Sequence, residues 1–165
     1  MIRPEEPHDR TAIHAVNAAA FGREDEAQLV DRLRQEGDLL ASLVAVVAGN
    51  VAGHILFSRM YIETQARPIP AVALAPLAVL PQYQRRGIGG LLIQDGLDLL
   101  RHRGERIVIV LGHPDYYPRF GFSNEKARAL ESPFPQEAYF ALELERGAMS
   151  GLRGKVKYPA AFRVA

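Results

Sequence analysis

The sequence predicts one α/β domain built on a mixed sheet, and three observations carry that prediction. Its 165 residues suffice for a single domain with a real core. A nearly all-apolar run, Val72 to Val79, has the composition of a strand buried on both faces. A helix-patterned stretch and a second apolar run, Arg106 to Leu111, follow it. Strand, helix, strand over that distance is a βαβ unit, with parallel strands and a right-handed crossover.

The other elements follow in chain order. Asp9 to Ala20 is predicted as the first helix, with Asp9 at its N-cap and Ile13 and Val16 facing inward. Phe21-Gly22 breaks it, Glu24 to Glu36 resumes a helical pattern with Leu29, Val30 and Leu33 on one side, and Gly37 ends it. Leu40 to Ala48 and Val51 to Ser58 read as strands joined by the turn dipeptide Gly49-Asn50. Met60 to Thr64 extends this meander as a further segment before Gln65 to Pro70 interrupts it. The helix after Gly87 carries an apolar stripe of Ile88, Leu91, Leu92, Leu97, Leu99 and Leu100. His102-Arg103-Gly104 closes it, with basic residues at the negative end of its dipole. Ala138 to Glu145 alternates in polarity and reads as a late antiparallel strand. The tail beyond Gly147 has two readings, a final strand or a contact with another subunit that would make a homodimer.

Composition removes several classes of function. Net charge is +1, without the concentrated basic face that nucleic-acid binding needs. There is no cysteine, which excludes disulfides, thiolate metal sites and a cysteine acyl-enzyme. The five histidines are scattered without paired-ligand spacing, so no metal is expected. The N-terminus is polar almost at once and no apolar stretch approaches a membrane span, so a cytoplasmic protein is the expectation.

The chemistry concentrates between the buried strand and the long helix, at Pro81-Gln82-Tyr83-Gln84-Arg85-Arg86-Gly87-Ile88-Gly89-Gly90. Glycines there let the backbone turn sharply and approach a ligand closely. They sit where the first unpaired amides of a helix point outward, at its positive dipole end, an arrangement that binds phosphate. Arg85 and Arg86 add full charges beside it. A P-loop would need Gly-Lys-Ser/Thr, and Gly89-Gly90-Leu91-Leu92 lacks it. A Rossmann fingerprint would need a third glycine where Leu92 stands. A plain strand-to-helix junction is the alternative to a phosphate site.

Gln84-Arg85-Arg86-Gly87-Ile88-Gly89 resembles the Gln/Arg-x-x-Gly-x-Gly/Ala signature of the GNAT superfamily of N-acetyltransferases. Leu77-Ala78-Val79 followed by Pro81 looks like its preceding strand, and Phe120-Gly121-Phe122 like its closing motif. The run Tyr116 to Phe122 and the tail Gly154 to Phe162 resemble a bacterial subgroup of N-acetyltransferases. The resemblance implies a central, mostly antiparallel mixed sheet with two splayed parallel strands, flanked by helices. It implies that backbone amides from Arg85 to Gly90 hold the pyrophosphate of acetyl-coenzyme A. Leu77, Ala78 and Val79 would offer strand-edge groups to the pantetheine arm. Pro76 fits a disrupted ladder there, or a simple strand-edge residue.

The resemblance further implies acetyl transfer to an amine of a small molecule or peptide. With no cysteine, direct attack in a ternary complex is the simpler route, with an amide near Ala78 to Leu80 as oxyanion donor. Tyr117, four residues before Gly121, stands where many superfamily members carry a tyrosine thought to protonate the leaving thiolate; Tyr116 is its rival. Glu26, in a region bordering the acceptor site of this fold, is a candidate base, with His113 and Asp115 as others. Arg119 would meet a coenzyme phosphate or a surface partner. A coenzyme A-binding sensor without turnover, transfer of a longer acyl group, and a hydroxyl acceptor are the competing readings.

Overall fold

In the computed structural model, which describes residues 1–163, the chain starts with β1 (Ile2–Pro4) and a 3-10 turn (Pro7–Asp9). Two helices follow, α1 (Arg10–Phe21) and α2 (Asp25–Gln35), then the hairpin of β2 (Leu39–Val47) and β3 (Asn50–Glu63). β4 (Ile69–Val79) leads through a 3-10 turn into α3 (Ile88–His102) and β5 (Ile107–Leu111). α4 (Asn124–Ala127), β6 (Leu130–Glu131), β7 (Tyr139–Glu143) and β8 (Gly154–Lys157) complete the chain. The sheet order is β1-β2-β3-β4-β5-β7, with β8 joining β3 to β6. The expected mixed sheet flanked by helices is present: β4–β5 and β6–β8 pair parallel, whereas β1–β2, β2–β3, β3–β8 and β5–β7 pair antiparallel.

The residues fall into two compact units interleaved in sequence. The first takes Met1–Ser58 and Ala75–Asp98. Its helices bury one stripe each, Ile13 and Val16 on α1 and Ala27, Val30 and Leu33 on α2, at the spacing of an amphipathic helix. Gly22, at φ +67°, ends α1 in the left-handed conformation that glycine adopts without penalty. Asp9 departs from the expectation. It precedes α1, yet its carboxylate caps the 3-10 turn by accepting from the Glu6 amide (2.7 Å) and from both terminal nitrogens of Arg3 (2.7 and 3.0 Å).

The second unit takes Arg59–Leu74 and the chain from Leu99 onward. Its core gathers Met60, Ile62, Ile107, Ile109, Tyr139 and Val156. The parallel register of β4 and β5 comprises Val72↔Val108 and Ala73↔Ile109, although β4 runs on to Val79. A single β3 replaces the two segments expected, because Arg59 does not interrupt the strand. Its guanidinium is satisfied by Glu105 (3.0 and 2.5 Å) and by the Ala71 carbonyl (3.1 Å). The tail takes the strand reading: β8 pairs antiparallel with β3, Tyr61↔Lys157 to Glu63↔Lys155.

Candidate active site

In the first unit, β4 ends where the Leu80 amide donates to the Ala52 carbonyl of β3 (2.8 Å). Pro81–Tyr83 then form a 3-10 turn, and the Gln84 side-chain amide reaches back to the Val79 carbonyl (2.9 Å). Arg85 and Gly87 both lie at positive φ, +64° and +82°. For arginine that conformation costs on the order of 1 kcal/mol, so this turn holds strain at a residue with no glycine-like freedom. The turn delivers the chain into α3, where the Leu91 amide donates to Gly87 (3.1 Å). The amides ahead of it are those that a helix start leaves without a carbonyl one turn back. Gln84, Arg85, Arg86 and Gly87 are all exposed, and the Arg86 guanidinium stands 5.5 Å from the centre of the Tyr83 ring. Amides, dipole and two cations around an open turn suit a phosphorylated ligand.

What fixes this loop against the sheet is Gly53 on β3, a residue without a mark in the sequence. A Cβ there would lie 3.1 Å from Leu92, 3.2 Å from Ile88 and 3.3 Å from the Ala78 carbonyl. The first turns of α3 and the end of β4 therefore close onto bare backbone. Ala78 is buried, whereas Leu77 and Val79 are half-buried. The geometry trims one expectation: in the Ala78 to Leu80 stretch, the Leu80 amide is already spent on the Ala52 carbonyl.

The second unit contains Tyr117, at the start of a 3-10 turn (Tyr117–Phe120) closed by Gly121 at φ +94°. Its ring packs edge-on against Tyr116 and Phe122, with centroids 5.2 and 5.7 Å away. Burial pushes its phenol well above the ordinary tyrosine range, with the neighbouring Tyr116 adding to the shift, so the hydroxyl stays protonated. Tyr116 is half-buried and shifts up less. Gly112, directly after β5, makes room for Tyr117: a Cβ there would come within 2.2 Å of Cε2 and 2.7 Å of Cδ2 of the ring. In the sequence Gly112 belongs to no motif, and its only signal is a small residue at a strand end.

The remaining candidates separate. Glu26, in the first turn of α2, is clasped by Arg23 (2.9 and 2.5 Å), which holds its carboxyl below the usual range. His113 and Asp115 are exposed in the loop after β5, and the Arg119 Nε donates to the Asp115 carbonyl (3.0 Å). A buried group not anticipated in the sequence is His54, held between Asn17 (Nδ1, 3.0 Å) and Ser42 (Nε2, 2.9 Å). Burial lowers its pKa to about 3, so it is neutral. Because the Asn17 amide nitrogen donates to Nδ1, the proton sits on Nε2 and is given to Ser42. Among the described residues no three metal-ligating side chains come together, and no helix is long and apolar enough to cross a membrane.

The family model for the acetyltransferase (GNAT) domain matches residues 1–124. The chain is similar to the uncharacterized N-acetyltransferase YhbS of Escherichia coli, 35% identical over 96% of this chain and 95% of that one. It is similar also to YjhQ of the same organism, an uncharacterized N-acetyltransferase, 40% identical over 78% of this chain and 74% of that one. The crystal structure of Escherichia coli YhbS in complex with CoA superposes at TM-score 0.91, covering 99% of this chain and 92% of that one. A GNAT family acetyltransferase from Brucella melitensis in complex with acetyl-CoA superposes at 0.82, with 36% identity over 98% and 97% of the two chains.

Proposed function

Because the chain belongs to the GNAT acetyltransferase family, we propose that it moves the acetyl group of acetyl-coenzyme A to an amine of a small molecule or peptide. The observation that carries the reading is the strained Arg85–Gly87 turn opening α3, an anion cradle at the family's signature. Relatives of 35% and 36% identity crystallised with CoA and acetyl-CoA support the donor. Amides from Arg85 to Gly90 take the pyrophosphate, and Leu77 to Val79 line the pantetheine arm.

In the reaction the amine nitrogen attacks the thioester carbon, forming the C–N bond and a tetrahedral oxyanion, which Ala78 or Val79 amides would steady. Collapse breaks the C–S bond. Tyr117 then gives its phenolic proton to the departing thiolate. Its raised pKa is matched by the desolvated thiolate, whose proton affinity rises for the same reason. Glu26, made a weak base by Arg23, suits the proton of the tetrahedral ammonium, which is far more acidic than the ammonium form of the free amine.

Coenzyme A titration and thiol release across a panel of amines test this reading. Gly89→Leu should weaken coenzyme A binding by about a hundredfold or more, since the ligand must approach bare backbone. Tyr117→Phe should lower kcat by about a hundredfold and leave coenzyme A affinity within about threefold. Tight binding without thiol release on any amine would replace the enzyme with a sensor. An undiminished rate in Tyr117→Phe would remove Tyr117 from the mechanism.

A further inference from the structure

The second unit contains a pocket of about 1050 Å³ that includes no residue of the Leu77–Gly90 segment. It opens beside Ile69 and Arg106, at the starts of β4 and β5, whereas Gly112 and Tyr117 follow the other end of β5. Ligand sites usually span roughly 300–1,000 Å³, so the pocket is large enough for a metabolite-sized molecule.

Its charge is lopsided. The lining holds five cations, Arg67, Arg106, Arg128, Arg153 and Lys155, against two carboxylates, Glu63 and Glu131, on a chain whose net charge is only +1. Arg106 is paired with Glu145. Lys155 stands in register between Glu63 and Glu131, one on each neighbouring strand, although the ion pair of Glu63 is with Lys157 (3.8 Å). Among the described residues, that leaves Arg67, Arg128 and Arg153 lining one pocket without a carboxylate partner. Each guanidinium is a planar fork whose geometry matches phosphate oxygens two at a time. Like charges gathered around one hollow repel, and a polyanion placed between them relieves that repulsion. Ser150 and Gly151 also line the pocket, while Ile69, Leu130 and Leu152 supply apolar surface for the body of a ligand.

We propose that this pocket is a second ligand site, for a small phosphorylated metabolite carrying at least two phosphate groups, gripped by Arg67, Arg128 and Arg153. Its lining shares no residue with the donor loop, and it does not depend on the acetyl-transfer reading.

Inorganic pyrophosphate is the probe, titrated calorimetrically at low salt into the wild-type chain and into Arg128→Ala/Arg153→Ala. Wild type should bind it, and the double variant should bind at least about tenfold more weakly, with coenzyme A affinity unchanged. Arg146→Ala, an exposed cation outside the lining, should behave as wild type. If the alanine pair compromises folding, Arg128→Lys/Arg153→Lys keeps the charge while losing the forks, and should still bind more weakly than wild type. No binding by wild type overturns the site. So does equal binding by the double variant, which would place pyrophosphate on the donor loop. Citrate binding where pyrophosphate does not would overturn the phosphate class.

Discussion

Replacing Gly112 by alanine tests whether the position of Tyr117 matters to turnover. Gly112 is not at positive φ, so alanine meets no backbone penalty and the change is purely steric. The new Cβ would sit 2.2 Å from Tyr117 Cε2. Carbon atoms rest at about 3.5 Å or more, so the ring must withdraw by roughly 1.3 Å, or Gly112 must give by as much. Overpacking of that size costs about 1–3 kcal/mol, which for a chain of this length lowers Tm by several degrees. A displacement near 1 Å at a catalytic group costs up to about a hundredfold in rate. Thermal melting and steady-state thiol release read both effects. The decisive comparison is Gly112→Ala/Tyr117→Phe, which should be no slower than Tyr117→Phe alone if Gly112 acts only by placing that hydroxyl. A destabilised Gly112→Ala with an undiminished kcat would refute the reasoning, because the ring would have moved without consequence.

Two further outcomes follow from ionised groups in the first unit. His14 offers both ring nitrogens to carboxylates, Glu24 (3.0 Å) and Asp31 (3.1 Å), and hydrogen bonding to Glu24 leads in raising its pKa above 6.5. Its stabilisation is complete below the unfolded value and fades as pH rises through the folded one; Arg34 beside Asp31 tempers it. Wild type should therefore lose more stability than His14→Gln between about pH 6 and about pH 9, by less than about 1 kcal/mol for so exposed a pair. Equal pH profiles in urea melts would contradict it. Asp9 is the opposite case: the Arg3 hydrogen bonds lead in lowering its pKa from 3.8 to about 2. Its contribution is present above the unfolded value and disappears as pH falls towards the folded one, so Asp9→Asn should flatten the acid limb of stability by about 1–2 kcal/mol.

The fold was legible wherever one periodicity dominated. The apolar runs of β4 and β5 and the stripe of α3 marked the parallel unit, although Leu91 of that stripe faces solvent, and Gly49-Asn50 marked the hairpin. β1 and β6 escaped because a strand of two or three residues has no period; only pairing with β2 and β8 defines them. Asp9 shows the same limit: an acid before a helix reads as its cap, and only the fold brings Arg3 close enough to claim it. At the candidate site, the loop could be read because its chemistry is contiguous. Gly112 and Gly53 could not, since each matters through a partner it meets only in three dimensions.

The seat of α3 on Gly53 bears on how such a donor loop could be transplanted. Residues 77 to 92 look like a self-contained cassette in the chain, yet Ile88, Leu92 and the Ala78 carbonyl all rest on the missing side chain of a strand that precedes it. A graft of the cassette alone onto a host with a larger residue at that point would lift the helix and tilt its opening amides. The heritable unit is thus the loop together with one glycine on β3, and exchange between relatives should move both or neither.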